Sequence, residues 1–107
     1  MIDMMKCLMW EFATMEGNLR EARKYAHKAH ELKERNPAAS KWCVTMARQH
    51  LMFNDEGMAI YHKDLREMEH MQEYAMLYPG VKAVHDERIE EIEKETAEVM
   101  AMLDRHK

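Results

Sequence analysis

Glycine and proline are scarce in this chain, at three and two in 107 residues. So few turn-formers leave room for very few reversals, which is the composition of long helices and argues against disorder. No apolar run approaches the ~20 residues of a membrane span, and the opening MIDMMKCLMWEF lacks the charged, apolar and small-residue order of a secretory leader. The expectation is a cytoplasmic protein with no membrane partner. There is no basic excess either: the net charge is −4 with acids and bases interspersed, so no stripe exists to neutralise phosphates and nucleic acid is excluded as a partner. Cysteine is limited to Cys7 and Cys43. Antiparallel pairing about a turn at Asn36 sets Cys43 opposite Ala29, about 33 Å along the axis from Cys7, so the two cannot bridge within one subunit. Free thiols in a reducing compartment are expected. Also missing are a glycine-rich phosphate loop, a nucleophile elbow, and a cysteine flanked by histidine and acid. No catalytic residue and no cofactor is expected.

What is present is 47% apolar and 34% charged residues, arranged with helical periodicity in a single domain, residues 1–107. Met1, Met5, Leu8, Phe12, Met15, Leu19, Ala22, Ala26 and Ala29 recur at alternating four- and three-residue spacing and predict helix 1 over about 1–35. Gly17 inside it costs about 1 kcal/mol relative to Ala, too little to break it. Asn36 is a good N-cap and Pro37 a good first helical residue. A second row, Val44, Ala47, Leu51, Asn54, Met58, Tyr61, Leu65, Met68, Gln72 and Ala75, predicts helix 2 over about 37–78. Asn54, Asp55, Glu56 and Gly57 could cap a fresh helix, but the row stays in phase through them, which favours one continuous helix about 60 Å long. Pro79 and Gly80 mark a reversal, and helix 3 over about 81–106 carries Val81, His85, Ile89, Ile92, Thr96, Val99 and Leu103 on one face. The predicted fold class is all-α: an elongated antiparallel bundle of three long, unequal helices.

Helix 3, folded back from Pro79, is expected to reach only Phe53 on helix 2. The uncovered stretch 37–53 has the widest apolar arc, with Ala38, Ala39, Trp42, Cys43, Met46, Ala47, Leu51 and Phe53. One neighbour cannot bury such an arc, and apolar surface rimmed by charge marks an association site. The expected contact residues are Tyr25, Ala39, Trp42, Cys43, Met46, His50 and Phe53, and the economical occupant is a second copy in a twofold dimer, with a different protein as the other possibility. Thirteen methionines fit core packing or a pliant binding surface.

Seven histidines invite a metal reading. Glu67 and His70 have the i, i+3 spacing of carboxylate-bridged sites, but His70 points about 150° from the apolar face. His27 and His30 form a pair without a third ligand. His85 is expected on the core face beside Tyr74. His50 lies in the apolar arc within a turn of Asn18, which can satisfy it. A metal site, if there is one, would draw on His27, His30, His50, Glu67 and His70, with Glu11 or Glu16 as the acid.

The runs Arg20 to Tyr25, Lys33 to Pro37 and Lys41 to Ala47 resemble the first helical hairpin of small ferritin-like, rubrerythrin-type proteins, over roughly residues 10 to 60. The resemblance implies a ferritin-like hairpin. It also places the family's helix 1 carboxylate at Asn18 and its Glu-x-x-His at His50 and Phe53. An amide, an imidazole and a phenyl ring cannot neutralise two metal cations, so the family's oxidase, peroxidase and iron-storage activities do not carry over. The expectation is a non-catalytic interaction protein that self-associates or binds a protein partner. A metal-binding remnant of the ferritin-like family is the second reading, and an inhibitor from a mobile element that blocks a host complex is the third.

Overall fold

A computed structural model describes residues 3–105 and is helical, with no strand among them. α1 is Met4–Leu32, α2 is Pro37–Glu69 and α3 is Tyr78–Arg105, with a single 3-10 turn at Gln72–Tyr74 between the last two. Asp3 caps α1 by accepting from the N–H groups of Met5 and Lys6 at 3.1 and 3.3 Å. Asn36 caps α2 by accepting from Ala39 N–H at 3.2 Å, with Pro37 in the first turn as its sequence position predicts. The outermost residues of predicted helices 1 and 3, Met1 and His106 among them, lie outside the described residues.

α2 runs unbroken through Asn54 to Gly57. The glycine has a packing reason: a Cβ at position 57 would stand 3.1 Å from Met15 Cγ, so its absence lets α1 approach. Gly17 has open space at the same test. Gly17→Ala is therefore expected to stabilise by about 0.5–1 kcal/mol through helix propensity alone. In urea denaturation Gly57→Ala should gain less or lose, and equal gains at the two sites would contradict this packing.

α2 ends nine residues short of the predicted Tyr78. Met71 is extended at φ −88°, ψ 120°, and the 3-10 turn and residues 75–77 follow. Pro79 does not end α2; it sits in the first turn of α3, where its missing N–H costs nothing. The periodic row continues past Met68 to Gln72 and Ala75, yet both of these residues are exposed. The helix stops where its apolar face runs out.

Successive contacts give the directions. Asn18 meets His50, and Ala29 carbonyl accepts from Ser40 Oγ at 2.7 Å, so α2 runs antiparallel to α1. Ser40, and not Cys43, is thus the residue opposite Ala29. α3 returns parallel to α1: Arg88 pairs with Glu16, and Arg23 pairs with Glu98 at 3.2 Å. Asn54 Nδ2 donates to Thr96 Oγ1 at 3.1 Å, leaving nine residues of α3 beyond that level. Met102 and Arg105 consequently line a groove with Ala26, His27 and His30, so α3 extends past Phe53, further than its predicted start would allow.

The core is continuous along all three helices. Leu8, Phe12, Met15, Leu19, Ala22 and Ala26 of α1 meet Ala47, Leu51, Tyr61, Leu65 and Met68 of α2, closed over by Ile89, Ile92, Val99 and Leu103. Ala22 and Ala29 are fully buried, so their backbone comes close to α2. The Cα atoms span 57 × 24 × 14 Å. That smallest dimension leaves one broad face of the α1–α2 pair without a helix over it.

Candidate interaction face

Which face is open follows from helix geometry. Glu16 and Arg23 reach α3, whereas Asn18 and Tyr25, each two residues further, project about 200° round α1. On α2, Arg48 and Asp55 line a groove with Thr96 and Met100 of α3; His50 and Phe53 again point the other way. The face away from α3 carries a chain of aromatic contacts. Tyr25 stands edge-on to Trp42 with centroids 5.7 Å apart and stacks on His50 at 5.8 Å; His50 meets Phe53 edge-on at 6.3 Å. Trp42 is 56% exposed and Phe53 43%.

The expected residues thus fall on this face, with one correction. Tyr25, Ala39, Met46 and His50 are half-buried, and Trp42 and Phe53 are exposed. Cys43 is buried in the core, because it shares the α1-facing side of α2 with Ala47. Ala47 and Leu51 are likewise buried. The face is open because α3 packs on the other side of the hairpin, and not because α3 is too short. It also runs further than predicted: Ile60, one and two turns beyond Gly57 and Phe53, is 53% exposed, and Trp10 on α1 is 72% exposed.

His50 Nδ1 lies 3.0 Å from Asn18 Oδ1, the pairing expected from sequence. Its stacking on Tyr25 leaves it a satisfied member of the aromatic strip. His85 departs from expectation. It pairs with the hydroxyl of Tyr61 at 3.1 Å, not with Tyr74, whose hydroxyl accepts from Met4 N–H at 3.2 Å. Ending α2 at Glu69 carried Tyr74 out of reach. Burial, then Arg88, lowers the His85 pKa, partly offset by Asp86; burial, then Asp86, raises that of Tyr61. Both groups are held neutral, so the phenol can donate to an unprotonated Nδ1.

The remaining metal candidates are not gathered. His27 and His30 are exposed beside α3, His50 is across the hairpin from them, and Glu67 and His70 are exposed at the end of α2. No group of three or more His, Cys, Asp or Glu side chains is spaced to hold a metal among the described residues.

The pair that sequence reasoning missed is Glu11 with Asp64. Glu11 is 9% exposed and its Oε2 is buried with no hydrogen-bond partner. Beside it Asp64 offers only acceptors unless a proton is shared. Burial first, then the hydrogen bond to Asp64 and repulsion from its charge, push the Glu11 carboxyl from an ordinary 4.5 up to about 8. At neutral pH Glu11 therefore keeps its proton and can donate it in the hydrogen bond to Asp64. Each residue directly precedes a core residue, Phe12 and Leu65. That is the only sequence sign that both flank the α1–α2 seam.

No family model, curated protein or solved structure matches this chain. No helix among the described residues is long and apolar enough to cross a membrane.

Proposed function

We propose that this protein is a non-catalytic, cytoplasmic interaction protein that self-associates through the open face of α1 and α2, two copies forming a twofold dimer. The observation that carries the reading is the exposed aromatic strip Tyr25, Trp42, His50 and Phe53 on the side of the hairpin that α3 leaves bare. The size of the face favours a second copy as the occupant. From Ala39 to Asp64, α2 rises about 38 Å, and two helices are about 20 Å wide. The resulting face of about 750 Å² matches the roughly 800 Å² per partner of a stable interface. A twofold axis near Asn18 and His50 lays one aromatic strip on the other. Two such hairpins, face to face, build a four-helix bundle with an α3 on each outer side, which extends the ferritin-like hairpin of the resemblance. Where that resemblance places metal ligands, Asn18 and His50 bond to one another, which supports association over metal chemistry.

Sedimentation equilibrium tests the proposal. The wild type is expected to be dimeric at micromolar concentration. Trp42→Asp and Phe53→Asp should each shift it to monomer with helicity unchanged, since both side chains are already substantially exposed. A wild type monomeric up to millimolar concentration overturns the proposal, as does stoichiometric iron, manganese or zinc in untagged protein together with dimers insensitive to both substitutions.

A further inference from the structure

Resting on that reading, we infer that association is linked to proton uptake: the Glu11 and Asp64 pair makes the covered face a pH-sensitive one, tight when the pair holds a proton and weak when it does not. The pair belongs to the same surface as the aromatic strip. Asp64 follows Phe53 and Ile60 along the outer side of α2, and Trp10, adjacent to Glu11, is 72% exposed. An occupant that covers Ile60 and Trp10 also removes water from Asp64.

Among the described residues, the group that acts on the Glu11 carboxyl is Asp64, and no cation offsets it. From its own helix Glu11 has Cys7 one turn before it, half-buried and free. From α2 it has Asp64 and the phenol of Tyr61, whose hydroxyl is engaged with His85. On α3, Asp86 acts on Tyr61 with the same sign as Glu11. Arg88 of α3 is engaged elsewhere, 4.8 Å over the Phe12 ring and paired with Glu16. Two adjacent carboxylates without a cation, one with a buried unpaired oxygen, are costly even in the monomer. Excluding the remaining water raises that cost further, whereas a single shared proton turns the repulsion into a hydrogen bond. Covering the face therefore draws in a proton per subunit wherever the monomer has lost one. The carboxyl titrates at about 8 in the uncovered subunit, so the change falls at mildly alkaline pH.

Dimer dissociation constants measured by sedimentation at pH 6, 7, 8 and 9 for the full chain test the linkage. The wild-type constant is expected to be nearly flat from pH 6 to 7 and to rise at least tenfold between pH 7 and 9. Glu11→Gln, whose amide donates to Asp64 at any pH, should remove the rise, and Asp64→Asn should do the same. A wild-type dimer whose constant does not change across this range, or changes equally in Glu11→Gln and Asp64→Asn, overturns the linkage and leaves self-association standing. A wild type monomeric at every pH overturns self-association, and the linkage with it. Circular dichroism at each pH separates dissociation from unfolding.

Discussion

Glu11→Gln is expected to make this protein more stable at pH 9 by on the order of 3 kcal/mol while changing little at pH 5. The Glu11 carboxyl titrates at about 8 in the folded chain against 4.5 ordinarily. Between those values the folded state holds a proton that the unfolded state has released, so stability falls as pH rises. The contribution is fully present below about 4.5 and lost above about 8. Glutamine has no proton to lose, and its amide donates to Asp64. The full shift, at about 1.4 kcal/mol per pH unit, sets an upper bound that the half-exposed Asp64 reduces. His85 slopes the other way: its lowered pKa gives stability that is present above its unfolded value near 6.5 and lost as pH falls. The two slopes oppose each other below about 6.5, and above it only the Glu11 loss remains, so wild-type stability should decline steadily from about pH 6.5 to 8. Urea denaturation of both proteins from pH 5 to 9, at a concentration where the oligomeric state is constant, checks this. Parallel curves for wild type and Glu11→Gln would show that the pair is not protonated as described.

Phe12→Ala is expected to cost about 3–5 kcal/mol, a large share of the 5–15 kcal/mol of typical domains. Phe12 is 1% exposed and is the point at which all three helices meet. Its ring is 4.8 Å from that of Tyr61 on α2 and 4.6 Å, edge-on, from His85 on α3, with the Arg88 guanidinium 4.8 Å above its face. Removing the ring leaves a cavity and strips the Tyr61 and His85 pair of its packing. Phe12→Leu keeps most of the volume and should cost less than half as much. A loss below about 1 kcal/mol for Phe12→Ala, read by urea titration of helicity, would mean that α3 is not anchored there.

The two outcomes differ in how far they could be foreseen. Phe12 sits squarely in a row of apolar residues at helical spacing, so its burial is a property of α1 alone. Its aromatic partners are not, because they come from 49 and 73 residues away. The pairing of Asn18 with His50 is accessible because counting back along two antiparallel helices from Asn36 errs by about one turn, which a long side chain can span. The count still slips by three residues: Ser40 replaces Cys43 opposite Ala29. By the time the chain reaches α3, an α2 shorter by nine residues has exchanged Tyr74 for Tyr61 as the partner of His85. Glu11 and Asp64 both precede that end, and nothing local to either marks the other as its neighbour.

The sequence by itself determined that the protein is all-α, with three long helices, a capped turn at Asn36 and Pro37, an unbroken passage through Gly57, and an apolar arc on α2 in excess of what one neighbour buries. These are local properties, settled by periodicity, capping and turn chemistry within a few residues of each site. Only the tertiary structure decided where α2 stops, which flank of the hairpin α3 occupies, and therefore which side of that arc stays open. It also brought two carboxyl groups together at one end of the open face. Side-to-side placement of helices depends on the summed packing of the whole interface, and a stripe of apolar residues states that a neighbour exists without stating on which flank it lies.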